Sequence, residues 1–207
     1  MKQLIQQLID QGYLKTPAII SAFRKIRRRD FMPDYLLNQE SENAPLPIGE
    51  GQTISQPLTV AFMLELLAPK AGQKILDVGS GSGWTAALLA ELAGKNGKVF
   101  ALERVAELKE FGEKNAAKYD FFNLKFFCRD GTRGLPKSAP FDRILVSAAA
   151  AEIPKALKEQ LAVGGRMVIP TAAEDIRLIE KIAKNKFKEK IYKGFMFVPL
   201  IETKQAR

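Results

Sequence analysis

The 207 residues include no histidine and one cysteine, which removes Ser-His-Asp and Cys-His catalysis, His-ligated metal sites and any internal disulfide. The formal net charge of +9 is spread along the chain, with denser runs only at 24–29 and 181–193, so nucleic acid is not the expected partner. With 46% hydrophobic and 27% charged residues the composition is that of a soluble globular chain of one-domain length, and no apolar run approaches the ~20 residues that span a bilayer.

The start, Met1-Lys2-Gln3-Leu4, lacks the apolar core of a secretory signal, so a cytoplasmic location is expected. Leu4, Ile5, Leu8 and Ile9 recur at helical spacing, and Gly12 ends the helix they predict. Pro17 opens a second helix carrying Ile19, Ile20, Phe23 and Ile26, and Pro33 closes the region. Richness in Pro, Gly, Asn and Glu over 38–55 predicts a long ordered loop, and such loops in compact domains are functional or disordered. Residues 59–67 read as an amphipathic helix.

From Lys74 the pattern alternates. Strands are predicted at 75–78, 99–102, 124–127, 143–147 and 167–169, with helices at 85–93, 106–119 and 154–161, the last ended by Gly164-Gly165. Segments 176–182 and 195–200 are predicted to pair as a closing hairpin, and the lysine-dense 181–193 to form its solvated edge. Cys128, at the end of Leu124-Lys125-Phe126-Phe127-Cys128, is expected to be packed in its strand. Strand-helix alternation implies a parallel sheet with right-handed crossovers, whose ligands bind beyond the carboxyl ends of the strands.

The sharpest local motif is Asp77-Val78-Gly79-Ser80-Gly81-Ser82-Gly83, which leaves a predicted strand and opens a helix. Its glycines allow a tight turn and close approach of a ligand to the backbone. The dinucleotide fingerprint wants its third glycine at 84, where this chain has Trp84. Asp77 would repel a pyrophosphate and suits a ligand bearing ammonium and sulfonium groups, as S-adenosylmethionine does. A plain glycine turn would show the same spacing. Glu103 ends the second strand, where a carboxylate can accept from vicinal ribose hydroxyls. Asp130-Gly131 follows the third strand, placing an acceptor for an adenine amino group beside a glycine that gives access, although Asp-Gly is also a common turn. In the stretch 45–57 the prolines fix the backbone while Thr53 and Ser55 offer hydroxyls, which serve a site or cap the next helix equally well.

The run Asn43-Ala44-Pro45-Leu46-Pro47-Ile48-Gly49-Glu50-Gly51-Gln52-Thr53-Ile54-Ser55-Gln56-Pro57, followed by Asp77 to Gly83, resembles the protein-L-isoaspartate O-methyltransferase family. The likeness continues through Ala101-Leu102-Glu103-Arg104, Asp130-Gly131-Thr132, Ala139-Pro140-Phe141-Asp142-Arg143-Ile144, Ile153-Pro154, Gln160-Leu161, Gly164-Gly165-Arg166 and Phe197-Val198-Pro199-Leu200, nearly the whole chain. Many methyltransferases share the glycine loop; Pro-Leu-Pro-Ile and Gly-Gln-Thr-Ile-Ser are more specific to this family.

The resemblance implies an α/β fold of the Rossmann-like class I methyltransferase type, with a mostly parallel seven-stranded sheet and an N-terminal helical extension. It implies one domain over 1–207, in which 1–57 supplies helices and active-site loop and 58–207 the cofactor-binding core. Implied too are S-adenosyl-L-methionine as cofactor, no metal, isoaspartyl peptides and proteins as partners, and methylation of the isoaspartyl carboxylate on the way to a succinimide. Ser55 matches the active-site serine beside that carboxylate and the donor methyl. Gln52, Thr53 and Ile54 match the lining of the same junction, and Ile48 and Val198 the peptide side. Asp77, Gly79, Ser80, Gly81, Gly83, Glu103, Asp130 and Gly131 match the cofactor side. A carboxylate with an ordinary pKa near ~4 is already ionised at neutral pH and needs no general base, in keeping with a chain without histidine. A monomer is the expected state.

Several positions depart from the family pattern. Glu40, Ser41 and Asn43 stand where Ala-Tyr-x-Asp is frequent, Leu58 where an aromatic or histidine is, and Ile176 where a glutamine is. These bear on peptide preference and leave the cofactor frame untouched. Two rival readings are a same-fold methyltransferase acting on RNA or a small molecule, and a non-catalytic binding module. Against the first, an Asn-Pro-Pro-Tyr type segment is missing after the fourth strand, where the small and open Ser147-Ala148-Ala149-Ala150-Ala151 stands. Against the second are the acids at three strand ends.

Overall fold

The computed structural model describes residues 1–202. Helix α1 (Lys2–Asp10) buries Leu4, Ile5 and Leu8. Helix α2 (Pro17–Lys25) starts on Pro17, whose missing N–H is one of the donors a helix start leaves unbonded, and buries Ile19, Ala22 and Phe23. Short 3-10 turns at Arg28–Phe31 and Asp34–Gln39 follow. This extension is tied to α3 (Pro57–Leu67) through Glu65, whose carboxylate accepts from Lys15 N, Thr16 N and Thr16 Oγ1 at 2.8, 2.8 and 2.7 Å. The expected amphipathic face of α3 is not there. Thr59, Val60, Ala61, Met63, Leu64 and Leu67 are all buried, because α3 lies between α2 on one side and the sheet on the other.

Part of the predicted loop 38–55 is ordered as a small antiparallel hairpin, β1 (Leu46–Gly49) with β2 (Gln52–Ile54). Gly49, Glu50 and Gly51 turn it at φ of 95, 53 and 66°. Leu46, Ile48 and Ile54 face the core.

The main sheet has seven strands: β3 (Lys74–Val78), β4 (Lys98–Glu103), β5 (Leu124–Cys128), β6 (Phe141–Val146), β7 (Leu161–Thr171), β8 (Asp175–Ala183) and β9 (Lys186–Lys193). Their order is β5-β4-β3-β6-β7-β8-β9, with parallel pairing from β5 to β7 and antiparallel pairing from β7 to β9. Helices α4 (Trp84–Ala93), α5 (Ala106–Ala116) and α6 (Lys155–Gln160) link the parallel strands. This is the expected mostly parallel α/β architecture with N-terminal helices. The chain winds one way from β3 to β4 and the other way to β6, which opens a crevice at the carboxyl end of β3.

Four further expectations are corrected. Gly164 and Gly165 do not end a helix; α6 passes straight into β7, and the glycines lie inside that strand where its register against β6 shifts. A β-carbon on Gly165 would sit 2.8 Å from Ala162 O and 3.0 Å from Asp142 O, so the irregularity needs a residue without one. The strand partner of β8 is the lysine-rich β9, not 195–200, and Lys181 is buried rather than solvated, its Nζ donating to the carbonyls of Lys158, Glu159 and Leu161 at the end of α6. Segment 195–200 instead leaves the sheet edge under Phe62 of α3, which stacks on Phe195 at 5.0 Å, and crosses the carboxyl end of the sheet. There Ala149 N donates to Val198 O at 2.8 Å and Leu200 N to Ala149 O at 2.7 Å. Finally, Cys128 is exposed, because β5 is an outer strand of the sheet.

Candidate active site

At the end of β3 the chain turns through Gly79, Gly81 and Gly83 at φ of 80, 46 and 86°. A β-carbon on Gly83 would lie 2.5 Å from Gly112 O, so this glycine lets α4 begin against α5. The loop amides are spent within the fold. Gly79 N and Ser80 N donate to Leu102 O at 2.8 and 3.0 Å, Gly83 N to Ser80 O at 2.8 Å, and Gly81 N to Glu103 Oε2 at 3.0 Å. A phosphate cradle needs such groups aimed at the ligand. Here Gly79, Ser80 and Gly81 face β4 and Gly83 is taken within the loop, so the loop offers a close-fitting floor and little attraction for an anion.

Glu103 is buried, and its Oε1 also accepts from Arg104 N and Val105 N at 2.7 and 3.0 Å, which fixes the carboxylate ahead of α5. Asp77 is fully buried beneath the loop. Its Oδ2 accepts from Thr85 Oγ1 at 3.0 Å, while Oδ1 has no partner among the described residues. Burial pushes its pKa up to about 7, opposed by the Thr85 hydrogen bond and reinforced by the Glu103 charge. Ser80 Oγ is likewise buried and unpaired. Asp130 caps the short turn Gly131–Arg133, its Oδ1 accepting from Thr132 N and Oγ1 at 2.9 and 2.7 Å.

A cleft of about 810 Å³, counting its open mouth, occupies the crevice at the end of β3. It brings together Gln52, Thr53, Ile54 and Ser55 from the N-terminal wall, Gly79, Ser80 and Gly81 on the floor, Glu103 and Gly131 at the ends of β4 and β5, and Val198 from the crossing segment. Asp77, Gly83, Asp130 and Ile48 stand outside this lining. Ile48 covers the loop, its Cδ1 3.4 Å from where a β-carbon on Gly81 would be. Trp84, Ser147, Ala148 and Pro199 also line the cleft; in the sequence Ser147 and Ala148 are read only as part of a small, open segment, and none of the four is given a site role. For Ser147 a signal existed: it ends the predicted fourth strand, on the same sheet edge as the acids.

A second chamber of about 800 Å³ adjoins, lined by residues that include Pro45, Gln56, Thr59, Met196 and Phe197. It shares Thr53, Ser55, Ser147 and Val198 with the cleft, so these four form the common wall. None of its lining residues is charged among the described residues.

The N-terminal wall is held by Arg28, which is fully buried. Its Nη1 donates to Glu42 O at 2.7 Å, its Nη2 to Ala44 O at 2.7 Å and Ser55 O at 3.1 Å, and the guanidinium lies 5.8 Å from the Trp84 ring centre. Burial lowers its pKa to about 10, partly offset by the Glu42 charge. Trp84 Nε1 donates to Ile26 O at 3.3 Å, closing the link between the extension and α4. Asn43 braces the start of α3, its Oδ1 accepting from Leu58 N at 3.0 Å and its carbonyl from Gln56 Nε2 at 2.8 Å. The other departures from the family pattern lie outside both cavities: Glu40 and Ser41 meet the N-terminal ammonium, and Ile176 is buried in β8.

With this geometry in hand, known proteins are informative. A family model described as Protein-L-isoaspartate(D-aspartate) O-methyltransferase matches residues 1–205. The chain belongs to that family. Protein-L-isoaspartate O-methyltransferases from Methanopyrus kandleri and Ignicoccus hospitalis are each 43% identical to it, over 205 and 204 residues, covering 97% of this chain in both cases and 90% and 97% of their own lengths. A solved protein-L-isoaspartate O-methyltransferase, 26% identical, superposes with a TM-score of 0.87 over 96% of this chain, which spans 65% of that longer one. A Plasmodium falciparum structure described as a protein-L-isoaspartate O-methyltransferase, in complex with S-adenosyl-L-homocysteine, is 25% identical with a TM-score of 0.84 over 98% of each chain. The isoaspartate methyltransferase likeness therefore takes in the N-terminal extension and both cavities as well as the cofactor fold.

Proposed function

We propose that this chain transfers the methyl group of S-adenosyl-L-methionine to the side-chain carboxylate of L-isoaspartyl residues in damaged proteins, starting their repair. The observation that carries this reading is the pair of chambers meeting at Thr53, Ser55, Ser147 and Val198, one floored by a glycine loop whose amides are turned away from any ligand phosphate. The floor, the buried unpaired Asp77 Oδ1 and the fixed Glu103 carboxylate fit a phosphate-free, cationic nucleoside. In this reading Glu103 accepts from the ribose hydroxyls, Gly131 borders the adenine, Gln52, Thr53 and Ile54 flank the methionine part, and Asp77 balances its positive charge from below. Bound there, S-adenosyl-L-methionine supplies an electrophilic methyl on sulfur. The Plasmodium relative's S-adenosyl-L-homocysteine supports the same assignment.

The isoaspartyl carboxylate enters from the uncharged chamber. Being ionised at neutral pH it needs no base. Ser55 orients it by a hydrogen bond and is neither acylated nor deprotonated. Ile48 covers the glycine loop and segment 195–200 borders the junction, which together help exclude water where a negative and a positive charge cancel, and positioning contributes much of the rest. The released methyl ester loses methanol by cyclising to a succinimide, whose hydrolysis returns part of the residue as aspartate. The same reading has residues 1–207 act as one domain and as a monomer, in the cytoplasm, on proteins and not on nucleic acid. Among the described residues no helix is long and apolar enough to cross a membrane.

Methyl transfer from labelled cofactor to an isoaspartyl peptide, its aspartyl twin and bulk RNA tests the proposal. Label on the isoaspartyl peptide alone, released as methanol by alkali, is the expected result. Label on RNA, or none anywhere, rejects it.

A further inference from the structure

We propose that Ser147 is a second catalytic residue of this methyl transfer, its hydroxyl holding the substrate carboxylate from the sheet side while Ser55 holds it from the N-terminal wall. The assignment rests on the carboxyl-methylation reading above.

Ser147 follows β6 directly, and its backbone is fixed on both sides. Its amide donates to Val78 O at 2.9 Å, and Ala149, two residues on, exchanges hydrogen bonds with Val198 and Leu200 at 2.8 and 2.7 Å. Ser147 lines both cavities, as Ser55 does. Neither hydroxyl has a partner among the described residues. A carboxylate offers about four lone-pair sites, and leaving most of them unmet after desolvation is costly. The usual answer is an arginine or lysine. This chain has 32 of those, yet none among the described residues lines the second chamber. The choice is chemically sound. A cation would withdraw charge from the attacking oxygen and repel the positive donor, whereas hydroxyls satisfy lone pairs and leave the carboxylate its charge. Of the three hydroxyls at the common wall, that of Thr53 belongs to an exposed residue, while Ser55 and Ser147 are partly buried and so gain most from a charged acceptor.

In the step itself a carboxylate oxygen forms its bond to the methyl carbon as the carbon–sulfur bond breaks, and that bond's electron pair stays on sulfur. Both serine protons remain where they were.

The test compares wild type, Ser147→Ala, Ser147→Thr and the Ser55→Ala/Ser147→Ala double variant in initial rates on an isoaspartyl peptide, with calorimetric binding of S-adenosyl-L-homocysteine to each. Ser147→Ala is expected to lower kcat/KM by about 10- to 100-fold, the value of one hydrogen bond to a charged group. Its Kd for S-adenosyl-L-homocysteine stays within twofold of wild type, which also shows that the variant folds. Ser147→Thr restores the rate to within fivefold, because it returns a hydroxyl to the same position. The double variant loses less than the product of the single losses, as expected for two groups on one acceptor. A loss below fivefold in Ser147→Ala, a parallel loss of S-adenosyl-L-homocysteine binding, or no recovery with threonine overturns the assignment. If wild type makes no alkali-labile ester on the peptide, the reaction assignment itself fails, and that control is read first.

Discussion

The glycine loop and the segment 42–55 face each other across one cleft and are secured in opposite ways. The loop is fixed by the strand beside it, Leu102 O taking two of its amides and Glu103 a third. Segment 42–55 gains its place from a distance, through one guanidinium that takes the carbonyls of Glu42, Ala44 and Ser55. The first arrangement is redundant and local, as suits a floor that only has to be smooth and close. The second concentrates the geometry of the reacting edge in a single buried side chain. Cofactor binding and catalysis should therefore separate under mutation.

The sharpest way to break this contrast is Arg28→Ala. It strands three part-buried carbonyls and opens a void where the buried guanidinium lay beside Trp84, so a loss of about 3 kcal/mol or more is expected by chemical denaturation, with Arg28→Lys intermediate because an ammonium cannot reproduce the fork. Stability within 1 kcal/mol of wild type would mean that the wall does not hang on this residue. Next come the two sides probed singly. Glu103→Ala should weaken S-adenosyl-L-homocysteine binding by about 10- to 100-fold in calorimetry, and unchanged affinity would remove Glu103 from the cofactor assignment. Ser55→Ala should lower kcat by a similar factor with cofactor affinity nearly intact, and an unchanged rate would remove Ser55 from the mechanism.

The smallest effect concerns Asp77. A carboxyl whose folded pKa is raised to about 7 carries more protons when folded than unfolded, so its ionisation costs stability as pH climbs from its ordinary value near 3.8 to about 7, and the cost is constant above that. Asp77→Asn should therefore gain stability over wild type at pH 8, by on the order of 2 kcal/mol more than at pH 5, in chemical denaturation without cofactor. Because the ionised form faces the cationic ligand in the proposed assignment, wild-type affinity should also tighten between pH 6 and 8 and the variant's should not. Calorimetry across that range decides the point.

The sequence announces the floor far better than the wall. Strands β3 to β6 fall within a residue or two of their expected places, since apolar runs between glycine turns leave few alternatives. The hairpin β1–β2 escapes such reading because its strands have 4 and 3 residues and its prolines and glycines are the usual marks of loops. Segment 195–200 has a strand's composition but is drawn across the sheet by Phe195 stacking on Phe62, and only tertiary structure can say so. Charge misleads at Lys181, which the end of α6 takes inside. Nothing in the row Arg27-Arg28-Arg29 marks the middle residue as the buried one, because the distinction lies in carbonyls 14 to 27 positions away. The Ser55 stretch is legible through its resemblance to a family, whereas local pattern alone leaves it balanced between helix cap and active site.

Trp84 is the chain's single tryptophan, buried edge-on to Phe23 at 5.6 Å, beneath Arg28 and in the wall of the cleft. Its indole emission is thus a built-in optical reporter. Quenching or a spectral shift on adding a nucleoside ligand would follow occupancy in real time without a label, and the same signal would register loosening of the arginine above it.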